Sequence, residues 1–224
     1  MTRYFITGAG TGVGKTFVTC GLVGALRDAG RSVAALKPVI SGYDDSEIGE
    51  SDSGQILSAL GREATSENAA GISPWRFREP LSPDMASARE EREIDFDALV
   101  EWSAATGREA DFRLIEGVGG VLVPLTETRT VLDWIAALGC PALLVGGSYL
   151  GTLNHTLTAL HVLRDAGVEV PAIIVSESED QPVPLTETVE ALERFSAGVP
   201  VFGLPRNADA VSLVSGLGWV SARD

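Results

Sequence analysis

The densest run of chemically useful residues is Gly8-Ala9-Gly10-Thr11-Gly12-Val13-Gly14-Lys15-Thr16. Glycines at that density let successive backbone N–H groups turn toward one anion, Lys15 reaches terminal phosphates, and Thr16 offers a hydroxyl to Mg²⁺. Tyr4-Phe5-Ile6 precedes the run and an apolar helical stretch follows it, which is the strand, loop, helix context of a P-loop. The usual motif opens with glycine at the place held here by Ala9, with Gly8 one residue further back. A dinucleotide-binding Gly-x-Gly-x-x-Gly fits worse, because it needs glycine where Val13 stands.

A P-loop enzyme also needs carboxylates at strand ends. Glu116 closes the run Phe112-Arg113-Leu114-Ile115 and opens Gly117-Val118-Gly119-Gly120, at the carboxyl edge where open α/β sheets bind ligands. It is either a metal-holding group or the cap of the next turn. Asp52 after Ser51 has the same two readings, ligand or helix cap. Lys37 follows the second strand in Leu36-Lys37-Pro38-Val39-Ile40-Ser41-Gly42, on the same edge as Lys15. Of 17 basic residues only Lys15 and Lys37 are lysine and the remaining 15 are arginine, so ammonium groups stand where a compact cation is useful. His155 and His161 are wrongly spaced for a metal pair on one helix face, and neither a Gly-x-Ser-x-Gly elbow nor a Cys/His pair offers a nucleophile.

Alternation of short apolar runs with stretches of helical length predicts an α/β fold, a single domain over residues 1–224 with a doubly wound, mostly parallel sheet flanked by helices. Strands are expected at Arg3–Thr7, Ser32–Leu36, Phe112–Glu116, Ala142–Gly146, Ala172–Ser176 and Val201–Leu204. Helices are expected at Lys15–Ala29, Asp52–Leu60, Asp95–Thr106, Val131–Leu138, Asn154–Ala166 and Leu185–Phe195. Two long irregular stretches, Pro38 to Ser51 and Gly71 to Arg92, read as functional or mobile loops, and Glu90-Glu91-Arg92-Glu93 as a solvated surface. The chain has 224 residues and a net charge of −14, a balance that argues against general nucleic-acid or membrane-surface binding. No window reaches the ~18 uninterrupted apolar residues of a membrane span. Cys20 and Cys140 lack ligand spacing and read as reduced thiols of a cytoplasmic protein.

Nearly the whole chain resembles the dethiobiotin synthetase family. The resemblance rests on Gly8 to Thr16, with that family's longer glycine spacing, on Lys37 to Gly42, Ser51-Asp52, Pro80-Leu81-Ser82-Pro83, Glu116 to Gly120, and Leu150-Gly151-Thr152-Leu153-Asn154-His155. It implies a homodimeric, Mg²⁺-dependent P-loop enzyme that uses ATP, or another nucleoside triphosphate, to close a cyclic urea on diaminopelargonic acid with CO₂. By resemblance, Lys15 and Lys37 contact the transferring phosphoryl group and the carbamate, while Thr16, Asp52 and Glu116 hold Mg²⁺. Gly12, Val13, Gly14, Phe17, Gly117, Val118 and Gly119 join them around the nucleotide, and Thr11, Gly12, Ser41 and Glu116 line the substrate. Asn154 receives the substrate carboxylate across the dimer interface, at a turn whose N–H groups suit an anion.

Two departures stand out. Gly12 occupies a place where that family often has an acidic residue. Ser176-Glu177-Ser178 follows the strand where familiar members carry an adenine-reading Asn, and Glu177 accepts hydrogen bonds from an exocyclic amine but cannot donate; Pro205, Arg206 and Asn207 complete the implied base pocket. A partitioning-type switch ATPase of the same fold is the alternative, but it usually carries a second P-loop lysine where Gly10 stands. The synthetase half of a glutamine-dependent amidotransferase would need a glutaminase domain, for which the chain has neither room nor motif.

Overall fold

The computed structural model describes residues 2–220. Strands run in chain order as β1 (Thr2–Gly8), β2 (Val33–Leu36), β3 (Val39–Ser41), β4 (Trp75–Phe77), β5 (Phe112–Glu116), β6 (Ala142–Gly146), β7 (Ile173–Ser176) and β8 (Val201–Leu204). Six of them form one wholly parallel sheet in the order β2-β5-β1-β6-β7-β8, and β3 and β4 pair separately. Every residue of β5 and β6 is buried, as a parallel sheet covered on both faces requires. The helices are α1 (Lys15–Asp28), α2 (Asp52–Ala59), α3 (Ser66–Ile72), α4 (Pro83–Arg89), α5 (Phe96–Ala105), α6 (Val131–Leu138), α7 (Thr152–Asp165), α8 (Leu185–Phe195) and α9 (Val211–Gly216). No described helix is long and apolar enough to cross a membrane.

Adjacent residues of β1 face opposite sides of the sheet and anchor the two helical layers. Phe5 meets Trp134 of α6 edge-on, with ring centroids 4.8 Å apart. Tyr4 stacks at 4.6 Å on Trp219, just beyond α9, and α9 in turn packs on α1. On the first face, Thr130 and Asp133 form a reciprocal capping box that starts α6 and aims Trp134 inward. On the second, Val18, Leu22, Val23 and Leu26 are the buried stripe of α1.

Each expected strand and helix is present, with ends shifted by up to two residues; α7, for example, begins at Thr152 rather than Asn154. The two stretches expected to be irregular are the correction. Pro38 to Ser51 contains β3 and a 3₁₀ turn at Ile48–Glu50, while Gly71 to Arg92 contains β4 and α4. Strands of three residues are too short to display a period, and their stability comes from each other. The proline of α4 sits at the first helical position, where its missing N–H costs nothing. Two further helices escaped the reading, α3 behind a Thr65 cap and α9 near the end of the described chain.

Helix α2 depends on one close approach. Ser51 caps it by accepting a hydrogen bond from the Gly54 N–H at 3.1 Å, which leaves the neighbouring Asp52 side chain uncommitted to the helix. A Cβ on Gly54 would lie 1.9 Å from the Ile48 carbonyl oxygen. Glycine therefore lets the 3₁₀ turn rest directly on the helix that carries Asp52. Gly54→Ala is expected to destabilise the fold by about 1–3 kcal/mol through overpacking, read as a lowered urea midpoint; an unchanged midpoint would mean the turn moves aside freely.

Candidate active site

The site forms where β1 ends. Gly12 and Gly14 adopt left-handed φ values of 71° and 89°, and a Cβ on Gly14 would come within 2.3 Å of the Ser176 hydroxyl. The loop is thereby pressed against the end of β7. Lys15 is almost buried and donates from Nζ to the Gly10 carbonyl at 2.9 Å, folding back over the loop. Burial, then repulsion from Lys37, lowers its pKa to about 8, against a partial pull from Glu116 and Asp52. A phosphate in the loop would supply the anion that this ammonium lacks.

Sheet register brings the other groups together. Leu36 of β2 pairs with Ile115 of β5, so the next residues, Lys37 and Glu116, leave the two strands side by side. Ile6 of β1 pairs with Glu116, which sets that carboxylate beside the strand that leads into the P-loop. The Lys37 ammonium is 2.7 Å from Glu116 Oε1 and 2.8 Å from Asp52 Oδ2, and it donates to the Gly117 carbonyl at 2.9 Å. Burial opposes its charge, but Glu116 and Asp52 together hold its pKa above the ordinary lysine value. For Asp52 burial likewise opposes ionisation, and Lys37, with help from Thr16 and Lys15, holds the carboxyl below its usual range. Thr16 donates to Glu116 Oε1 at 2.7 Å and Thr19 to Oε2 at 2.5 Å.

A cavity of about 330 Å³ opens over this network, lined by Thr11, Lys15, Thr16, Lys37, Ser41 and Asp52 together with Gly12, Gly14, Phe17, Ile40, Val118 and Gly119. A second, of about 440 Å³, shares Gly12, Gly14 and Phe17 with the first and continues past Val13 to Ser176, Glu177 and Arg206. In it the Glu177 carboxylate accepts from the Arg206 backbone N–H at 3.0 Å and from Gln181 at 2.8 Å, bonds that keep its pKa low. Pro205 and Asn207 belong to the same exposed turn as Arg206, outside the residues that line this cavity. Asn154 is exposed and stands apart from both cavities, in the first turn of α7 rather than at its cap, on a third hollow with Ala9, Gly10, Thr11 and Leu122. Cys20 and Cys140 are both free; burial, then Glu116 and Asp52, pushes the Cys20 thiol up to about 12, leaving it unreactive at neutral pH.

The sequence reading missed Thr19 and the contact between Gly14 and Ser176. Thr19 was detectable, because it lies three residues beyond Thr16 and so shares its helix face. Ser176 stood in the expected base segment, but its contact with Gly14 gave no signal, since it joins two distant elements.

The donor set suits a small hard cation. A hydroxyl and two carboxylates, all oxygen, match the one or two carboxylates plus phosphate oxygens that Mg²⁺ takes at nucleotide sites. No cluster of three or more His, Cys, Asp or Glu gathers among the described residues, so the protein side chains do not form a complete metal cage of their own.

Comparison with known proteins bears on the fold and the family. The family model described as an AAA domain matches residues 2–212. Among solved structures, the MinD septum site-determining protein of Pyrococcus horikoshii, complexed with Mg-ADP, shares the fold at a TM-score of 0.51 and 19% identity, over 92% of this chain and 82% of its own. Among curated relatives, the ATP-dependent dethiobiotin synthetase BioD of Phenylobacterium zucineum is 47% identical over 99% of this chain and 93% of its own. Its counterpart in Acidiphilium cryptum is 46% identical over 89% and 91%. Likeness of that degree over nearly the full length of both partners goes beyond a shared P-loop: the chain belongs to the ATP-dependent dethiobiotin synthetase family.

Proposed function

We propose that the chain, acting as one domain in the cytoplasm, closes a cyclic urea on diaminopelargonic acid using CO₂ and ATP, with the P-loop and the Lys37 network as its catalytic centre. The observation that carries this reading is the Lys37 ammonium, buried between Asp52 and Glu116 on the wall of the cavity that also exposes Lys15 and Ser41. A switch ATPase needs a nucleotide sensor. A ligase needs in addition a cation beside the acceptor that takes the phosphoryl group, and Lys37 has that place.

Three steps balance the reaction. One substrate amine adds to CO₂ and loses a proton, giving a carbamate. A carbamate oxygen then attacks the γ-phosphorus, forming a mixed anhydride and releasing ADP. The second amine attacks the anhydride carbonyl and gives up a proton, closing the ring and expelling phosphate. Mg²⁺, when bound, neutralises phosphate charge; Thr16, Asp52 and Glu116 are the residues that would hold it. Lys15 carries its charge to the terminal phosphates, and the P-loop N–H groups orient them. Lys37 faces the carbamate and the transferring group, where a preorganised cation acts on charge that develops only in the transition state. Thr11, Gly12 and Ser41 bound the space left for the diamine, and with Gly12 lacking a side chain the amine is held by its neighbours.

The base lies in this reading along Phe17 toward Glu177 and Arg206, with Pro205 and Asn207 bordering the turn. Glu177 carries negative charge and only accepts, so it suits the exocyclic amine of adenine. The chain works as a homodimer, in which Asn154 and the first-turn N–H groups of α7 meet the substrate carboxylate of the other subunit. The support for this is an exposed apolar face around Asn154, where Leu122, Leu150 and Leu153 are 56%, 85% and 39% exposed.

Three outcomes are expected. Incubation with the diamine, bicarbonate, Mg²⁺ and ATP gives a product of cyclic-urea mass and one phosphate per ring; nucleotide hydrolysis indifferent to the diamine would favour the switch instead. Lys37→Gln lowers turnover by about 10²–10³-fold, the usual loss for one preorganised donor, measured where circular dichroism shows the variant folded. Near-normal turnover would remove Lys37 from the mechanism. Asn154→Ala raises KM for the diamine with nucleotide affinity unchanged, and sedimentation gives a dimer; a fully active monomer at assay concentration would contradict the shared site.

A further inference from the structure

Glu116 has no exposed surface, and both its oxygens are held. Oε1 accepts from Lys37 and Thr16, each at 2.7 Å. Oε2 accepts from Thr19 Oγ1 at 2.5 Å. Thr19 is itself fully buried, one turn along α1 from Lys15, and it lines neither nucleotide-side cavity. A threonine inside a helix ordinarily returns its hydroxyl to the carbonyl four residues back. Here that carbonyl, on Lys15, lies 3.0 Å away, yet the hydroxyl has one proton to give. The shorter, charge-assisted bond to the carboxylate takes it.

We infer that Thr19 is a positioning residue for the metal-nucleotide centre: by fixing Oε2 of Glu116 to the first turns of α1, it presents Oε1 alone to Thr16, Lys37 and a divalent cation. The inference rests on the reading of Glu116 as a metal-holding residue. The last torsion of a glutamate is broad and nearly two-fold, so nothing in the side chain itself sets which oxygen faces the site. Mg²⁺ demands near-ideal octahedral geometry, and a carboxylate free to rock would meet that demand only part of the time. Thr19 removes that freedom without touching nucleotide or substrate. It also ties the strand that bears Glu116 to the helix that bears Lys15 and Thr16, so phosphate and metal groups keep their spacing.

The test measures Mn²⁺ binding by electron paramagnetic resonance with a non-hydrolysable ATP analogue present, on Thr19→Val, Thr19→Ala, Thr19→Ser and Glu116→Gln. Thr19→Ala removes the hydroxyl without setting an extra methyl against the carboxylate, and thermal melting confirms which variants are folded. Loss of an outer-shell partner typically weakens a metal by about 10–100-fold, and that loss is expected for Val and Ala, with Ser restoring most of the affinity. Metal-free ADP affinity and KM for the diamine stay unchanged, which a merely structural defect in α1 would not allow. Wild-type metal affinity in a folded Thr19→Ala, beside weakened affinity in Glu116→Gln, would overturn the role of Thr19 alone. Wild-type affinity in Glu116→Gln would overturn the metal reading and the role of Thr19 with it.

Discussion

A buried ammonium between two carboxylates is the constraint on which the rest of the molecule depends. Lys37 is 2% exposed and Glu116 not at all, so neither charge can be satisfied by water. Taking either out of water alone costs several kcal/mol, and removing one partner from such a pair is strongly destabilising. The arrangement is thus poor as a stabilising device and suited to the catalytic role proposed for it. It keeps opposite charges close in a medium of low dielectric, where each acts on a bound ligand with little screening. The price is a scaffold rigid enough to hold them, which the fully buried strands on either side of the P-loop supply.

That scaffold converts hydrogen-bond register into chemistry. β1, β2 and β5 are parallel, so all three release their chains on one edge, and pairings such as Leu36 with Ile115 decide which side chains emerge at the same level. A slip of one residue would turn Glu116 to the opposite face of the sheet. Side-chain packing guards against this: Phe5 against Trp134 on one face and Tyr4 against Trp219 on the other mean that any slip breaks both ring contacts. The core therefore fixes the site through register.

Much of this is legible in the residues themselves, for identifiable reasons. The strands of the main sheet are short and mostly apolar, and α2, α5 and α6 begin at Ser51, Asp95 and Thr130 caps, both local properties of the chain. The P-loop is legible because a single short segment contains its whole mechanism. Glu116 and Lys37 are legible by position at strand ends, but their contact is not, since it depends on a strand order in which β5 lies between β2 and β1. β3 and β4 escaped because three residues carry no period, and what stabilises each is the other, many residues away. The loop-to-strand contact of Gly14 on Ser176 is illegible for the same reason. Local chemistry is written locally; pairwise geometry is not.

The two lysines also explain why arginine does not stand in their places, although it supplies every other cation. An ammonium has three donors on one point. At Lys37 all three have partners, Asp52, Glu116 and the Gly117 carbonyl, converging on one nitrogen, a geometry that the spread donors of a planar guanidinium do not reproduce. Because no donor is spare, contact between Lys37 and a transferring phosphoryl group has to be exchanged for one of these three bonds. Glu116 is fixed from behind and the Gly117 carbonyl belongs to the backbone, whereas the Asp52 side chain is 39% exposed at the cavity wall. The Asp52 bond is the most accessible of the three, and Asp52 is also a residue that would hold the cation in the proposed mechanism. In the proposed mechanism phosphate charge would enter the site as Lys37 is released toward it, so that the buried charges stay balanced.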